Sequence, residues 1–233
     1  MISSAQIKQI RALKEKKFRD QSGLFVVEGE KMVQEALDSD YQVEAVYRIS
    51  EIGVTAMERI SLLNTPSSAL ALVRIRKDKP SALKRNGLYL GLDSLRDPGN
   101  MGTILRIADW FGIDGVFASE DSVDIYNPKV VQSTMGAIFR VDFHYCDLAR
   151  LCTENDVTVF GTFLNGENIY DADLSADKPA LIVTGNESNG ISDRIAALCN
   201  RRITIPSFAN GKGSESLNAA VATAITVSEF KRR

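Results

Sequence analysis

The 233-residue chain is poor in the residues that build cross-links and metal sites, with three Cys, one His and one Trp. Cys146, Cys152 and Cys199 are odd in number and form no CxxC. A disulfide framework or zinc site is therefore not expected, and a reducing cytosol is the expected compartment. No apolar run approaches the roughly 20 residues of a membrane span. The N-terminus, MISSAQIKQIRALKEKK, is charged throughout and lacks the apolar core of a secretory signal. No GxGxxG occurs, which argues against a dinucleotide cofactor. With 16 Gly and 6 Pro, low-complexity and collagen-like readings fail as well.

What is present is charge, unevenly divided. Residues 1–87 carry 15 Lys and Arg against 11 Asp and Glu, whereas residues 88–233 carry 13 against 19. Lys8, Arg11, Lys14, Lys16, Lys17 and Arg19 fall within twelve residues, opposed only by Glu15. Arg74, Arg76, Lys77, Lys79, Lys84 and Arg85 form a second cluster, opposed by Asp78. Such densities suit contact with phosphates, and Lys14, Lys16, Lys17, Arg19 and Arg76 are the candidate phosphate-contacting residues. Two solvated faces would look the same on charge alone.

Hydrophobic periodicity divides the chain in two. A helix is expected over 3–18, capped by Ser3 or Ser4, followed by a strand at 24–29 and a helix at 31–37. Strands at 43–49 and 69–75 complete a small α/β domain over 1–80, and the polar stretch 81–87 reads as a linker. From residue 88, short apolar strands at 88–92, 115–119, 157–163, 180–185 and 203–205 alternate with helices at 101–111, 129–135, 147–154, 192–199 and 215–230. That alternation predicts an α/β domain with a parallel sheet over 88–233, with ligands at the carboxyl ends of its strands.

Three loops after strands carry candidate chemistry. In LDSLRDPGNMGTILRIADWFG (92–112), a helix starting near Met101 offers free N–H groups beside Asn100 and Gly102. Arg106 lies one turn inside, with apolar neighbours that place it near the buried side. In LIVTGNESNGIS (181–192), Gly185 lets backbone approach a ligand and Glu187 puts a carboxylate at the strand end. In RITIPSFANGKGSESLNAAV (202–221), a glycine-rich run leads into a helix opened by Ser214, Ser216 and Asn218. One of those serines is expected to be an N-cap.

Together, in this order, the three segments resemble the TrmH-type (SpoU) RNA 2′-O-methyltransferases of the SPOUT superfamily. Asn100, Gly102 and Arg106 stand on the N-x-G-x-x-x-R block; Gly185, Asn186 and Glu187 stand on the G-N-E block. Ile205, Pro206, Ser216, Leu217 and Asn218 stand on the I-P…S-L-N block. The chain departs from the pattern in a longer 207–215 loop and in Ala219, where Val is commoner. The resemblance implies methyl transfer from S-adenosylmethionine to a ribose 2′-hydroxyl of RNA, ribosomal RNA before transfer RNA, by a cytoplasmic homodimer without a metal. It implies a C-terminal trefoil knot and an N-terminal ribosomal-protein-like RNA-binding domain. Arg106, Asn100, Glu187, Ser216 and Asn218 would serve catalysis; Thr162, Gly185, Asn186, Ile205 and Leu217 would hold the cofactor. A catalytically silent RNA-binding protein of the same fold is one competing reading. A Rossmann-like methyltransferase or nucleotide enzyme for small molecules is another, and it would want a glycine-rich loop after the first strand of the catalytic domain, which is missing.

Overall fold

The computed structural model describes residues 2–77, 80, 82–209 and 214–232. The chain forms two compact units, residues 1–78 with 124–140, and residues 79–123 with 141–233. In the first, α1 (Ser4–Ala12) and α2 (Lys16–Ser22) lead into β1 (Leu24–Glu28), α3 (Glu30–Leu37) and β2 (Val43–Arg48). Then come α4 (Ile49–Ile52), α5 (Val54–Ile60) and β3 (Ala69–Arg74). The three strands pair antiparallel in the order β1-β3-β2. Ile7, Ile10 and Leu13 recur at helical spacing and bury against Val26, Met57, Ile60, Leu70 and Leu72.

The single helix expected over 3–18 is broken after Ala12. The Arg19 guanidinium donates to the carbonyls of Leu13 and Lys14 at 2.7 and 2.8 Å, which satisfies turn carbonyls that a continuous helix would otherwise use. Ser3 caps α1 in a reciprocal capping box with Gln6.

In the second unit the chain runs through β4 (Leu88–Leu92), α6 (Pro98–Trp110) and β5 (Gly115–Ala118). It next makes α7 (Pro128–Thr134) and a 3-10 turn (Ala137–Phe139), both within the first unit. It returns as β6 (Phe143–Tyr145), α8 (Leu148–Glu154), β7 (Thr158–Asn168), β8 (Ala180–Thr184), α9 (Asp193–Ala196), β9 (Arg201–Thr204) and α10 (Ala219–Arg232). The six strands are all parallel, in the order β6-β5-β4-β8-β7-β9. β8 is buried along its whole length and β4 over all but its first residue, which is why both read as near-continuous apolar runs. β6 has no counterpart among the expected strands: Phe-His-Tyr is too short and too polar to announce one.

Strand order reverses at β4, whose successors run outward through β5 to β6 while β8, β7 and β9 lie on its other side. In parallel sheets the ligand crevice forms at the carboxyl ends beside such a reversal. Residues 82–87 are held to the second unit, where the Lys84 backbone N–H donates to the Tyr89 hydroxyl at 2.7 Å. Lys84 Nζ also meets Asp114 at 2.7 Å. Asp78, Lys79 and Ser81, which fall at the expected domain junction, lie outside the described residues.

Residues 124–140 are seated in the first unit by polar and aromatic contacts. Arg19, only 2% exposed, donates through Nε and a terminal nitrogen to Asp124 Oδ2 at 3.1 and 2.6 Å. Phe25 packs on Tyr126 and Phe139 with ring centroids 4.7 and 6.5 Å away. Tyr41 donates to the Ile138 carbonyl at 3.2 Å, and Arg140 pairs with Glu35.

Candidate active site

The site grows from the carboxyl ends of β4, β8 and β9. After β4, Asp97 caps α6 by accepting from the Asn100 N–H at 2.7 Å, and Pro98 occupies the first turn. The helix therefore starts at Pro98 rather than near Met101. Its first turn is already capped by a carboxylate, so the expected anion-receptive N–H groups are not all free. The Asp97-Pro98 pair is an N-cap signature, the local signal that sets this start.

Asn100 faces inward, 7% exposed. Its Nδ2 donates to Glu187 Oε1 at 2.9 Å, and its Oδ1 accepts from Asn218 Nδ2 at 2.8 Å. One amide thus joins all three motif segments, across 87 and 118 positions of sequence. A primary amide can do this because it carries a donor and an acceptor side by side.

Asn218 works at both ends. Its Oδ1 accepts from the N–H groups of Ala220 and Val221 at 3.0 and 3.2 Å, capping α10, while Nδ2 reaches Asn100. The expected serine cap is thereby corrected: α10 begins at Ala219, so Ser214 and Ser216 lie upstream of it and are exposed. Leu217 is 49% exposed beside them. Residues 210–213 of the glycine-rich run lie outside the described residues.

The Gly185–Ser192 turn is closed by a pair of hydrogen bonds between Asn186 and Gly190, each 2.9 Å. A Cβ on Gly185 would stand 2.1 Å from the Gly190 carbonyl carbon, so only glycine fits where the two strands of the turn touch. Asn186 Oδ1 accepts from the N–H groups of Ser188 and Asn189, which orders the tip that carries Glu187. Thr162 is half-buried at the end of β7's first pairing and donates to the Val183 carbonyl at 3.0 Å. Ile205 is half-buried against Phe160, Ile169 and Ala172.

Arg106 differs from expectation. It is exposed, and it makes no hydrogen bond or ion pair with any described residue. Six residues beyond Asn100, it lies about 9 Å farther along α6 and roughly a third of a turn around it. The apolar Ile104, Leu105 and Ala108 turn the other way and are buried. Arg106 shares its outward stripe with Thr103, Ile107 and Trp110, the last 85% exposed.

Two of the candidate RNA contacts also look different in three dimensions. Arg19 is buried in its ion pair and presents no charge to solvent, because its guanidinium is consumed by Asp124 and two carbonyls. Lys16 is exposed but pairs with Asp20 one turn on, at 2.8 Å. Lys8, Lys14 and Lys17 stand exposed on the same stretch, and Arg76 is exposed above the Tyr41 ring at 4.3 Å.

The three cysteines line the packed face of β5, β7 and β8 as half-buried thiols. Burial pushes each up to about 11, which keeps them protonated and poor nucleophiles at neutral pH. Among the described residues no cluster of His, Cys, Asp and Glu is arranged to hold a metal ion. None of the described helices is long and apolar enough to cross a membrane.

A parallel α/β sheet with a polar cluster at its carboxyl edge, beside the reversal of strand order, is the layout of an α/β enzyme with a ligand crevice. The chain belongs to the SpoU rRNA Methylase family, whose model matches residues 87–228. Residues 4–61 match the MRM3-like substrate binding domain. Over 95% of its length, and 94% of the relative's, the chain is 29% identical to the 23S rRNA (guanosine(2553)-2'-O)-methyltransferase RlmP of Bacillus subtilis. Among solved structures, it is similar to an AdoMet-bound rRNA methyltransferase from Sinorhizobium meliloti, at 27% identity and TM-score 0.85, covering 100% of this chain and 97% of that one. A protein of the TrmH family from Porphyromonas gingivalis is 38% identical with TM-score 0.86, covering 100% and 99%.

Proposed function

We propose that this protein transfers a methyl group from S-adenosylmethionine to a ribose 2′-hydroxyl of RNA, with ribosomal RNA as the substrate. One observation carries the reading: Asn100 bridges Glu187 and Asn218, so the family's three motif segments meet at the carboxyl end of the sheet. The relatives named for 23S rRNA and the AdoMet-bound neighbour support the substrate and the cofactor. The crevice residues fit that cofactor. Leu217 and Ile205 offer apolar surface to an adenine, and Glu187 offers a carboxylate to a cation.

When bound, the cofactor supplies an electrophilic methyl on a good leaving group. The remaining difficulty lies with the 2′-hydroxyl, a very weak acid that must be oriented and stabilised as it loses its proton. Asn100, Glu187, Asn218 and Ser216 hold the ribose in line. Arg106 clamps the neighbouring phosphate and stabilises the developing alkoxide; a guanidinium is too weakly acidic to serve readily as a base.

Arg106's exposed stripe supports a homodimer whose sites are completed between subunits. Trp110, Val221 and Leu217 leave apolar surface uncovered on α6, on α10 and just before it. Trp110→Glu is expected to sediment as a single chain, and an unchanged dimer would remove this face from the interface. A trefoil knot near the C-terminus is supported by the path of the chain, which leaves β9 at the sheet edge and returns so that α10 packs on α6 and β8. Thr223 on α10 meets Thr184 of β8 at 3.1 Å.

The first unit, residues 1–78 with 124–140, grips the RNA, and the second, residues 79–123 with 141–233, carries the chemistry, in the cytoplasm. The exposed Lys8, Lys14 and Lys17 support that role for the first unit. Changing all three to Gln is expected to weaken RNA binding. The slope of log K against log salt should also flatten, by about one for each phosphate that a lysine no longer neutralises. An unchanged slope would exclude this face.

Incubation with tritiated methyl donor and purified ribosomal or transfer RNA tests the function. Label at a ribose 2′-oxygen of ribosomal RNA is the expected outcome. Label only in transfer RNA overturns the substrate, and none in either overturns the enzyme.

A further inference from the structure

The turn that carries Glu187 is tied to the end of β4 at two points. Asp93, buried, accepts from the Ser192 N–H through Oδ2 at 2.7 Å. The Ser94 carbonyl accepts from Asn186 Nδ2 at 2.8 Å. Ser94 has φ +57°, a left-handed conformation that is strained for a residue with a side chain and persists only where its surroundings hold it. Its carbonyl direction toward Asn186 depends on that conformation.

Asp121 and Ser119 together hold Ser94 there. The Ser94 hydroxyl donates to Asp121 Oδ2 at 2.8 Å, and the Ser94 N–H donates to the Ser119 hydroxyl at 2.8 Å. The Ser119 hydroxyl in turn donates to Asp121 Oδ1 at 2.7 Å, and Arg96 donates to Oδ2 at 2.7 Å. The hydroxyls of Ser119 and Ser94, with Arg96, hold the Asp121 carboxyl below the usual carboxylate range, so it is ionised and accepting at neutral pH.

We propose that Asp121 is a positioning residue for methyl transfer: through Ser94 it sets Asn186, and through Asn186 it sets the turn that presents Glu187 to Asn100. The proposal rests on the methyltransferase function proposed for the crevice. Asp121 touches neither reacting group, and the Asp93–Ser192 tie and the β4–β8 ladder remain when it is removed.

The full-length protein is compared with Asp121→Ala and Asp121→Asn. In Asp121→Ala, kcat is expected to fall about tenfold to a hundredfold through misplacement of Glu187. KM for RNA should stay within about twofold, because binding groups are untouched. Asp121→Asn, isosteric and able to share hydrogen bonds with both serines, should recover most of the missing kcat. Amide exchange at Ser188 and Asn189 should accelerate about tenfold in Asp121→Ala while β7 stays protected, since only the local turn is loosened.

Near-normal kcat in Asp121→Ala, unchanged exchange at Ser188 and Asn189, or Asp121→Asn as impaired as Ala would each overturn the proposal. Exchange rising across the whole sheet would mark a stability residue and overturn it too. The exchange measurement needs no reaction. An inactive wild-type enzyme with a loosened turn in the variant would therefore refute the chemistry and leave the linkage standing.

Discussion

Arg106→Ala is expected to lower methyl transfer by about a hundredfold to a thousandfold, the effect of removing a donor that stabilises transition-state charge. Cofactor affinity should be nearly unchanged, because Arg106 makes no hydrogen bond or ion pair with Thr162, Gly185 or Ile205. The side chain is exposed and unpaired among the described residues, so its removal breaks no internal bond and the melting temperature should not move. Arg106→Lys should recover only part of the rate, since an ammonium keeps the charge and loses the bidentate fork. Single-turnover kinetics with isothermal titration of the cofactor separates these outcomes. Near-normal turnover in the Ala variant, or a parallel loss of cofactor binding, removes Arg106 from the role assigned to it.

Arg19→Ala carries the largest expected cost in stability. Arg19 sits almost wholly out of water, with Asp124 and two backbone carbonyls as its partners. Removing one member of a buried pair leaves the other charge unpaired, a loss of about 3–5 kcal/mol. Two carbonyls also lose their donor, and the break between α1 and α2 loses what satisfies it. Urea unfolding should show a lowered midpoint, with the first unit melting early by amide exchange. Arg19→Met combined with Asp124→Leu should recover part of the loss, because the isolated charge is gone while the carbonyls stay unpaired. A midpoint unmoved by Arg19→Ala would show the pair to be dispensable.

The parallel sheet is legible in sequence because β4 and β8 are buried on both faces, and burial on both faces selects continuous runs such as LYLGL and ALIVT. Gly185 and Glu187 are legible for a related reason: such a strand must end in a turn, and Gly-Asn-Glu is a turn with chemistry on it. The direction of Arg106 is not, since apolar neighbours along a helix say little about one residue's face. Helical phase decides that, and it sends Arg106 outward with Trp110. Arg19 misleads in the same way. A basic residue in a basic run looks like a surface charge, and its buried partner Asp124 lies 105 positions away.

Composition and local pattern are therefore enough to settle the α/β class, the alternation of strands and helices after residue 88, and which loops could bear chemistry. They record preferences of a few neighbouring residues, which is all that turn chemistry and hydrophobic period require. The Glu187–Asn100–Asn218 bridge, the left-handed Ser94 held by Asp121, and the seating of residues 124–140 in the first unit come from the folded chain alone. Each depends on hydrogen bonds between segments far apart in sequence. No local pattern encodes the distance or angle at which such groups meet.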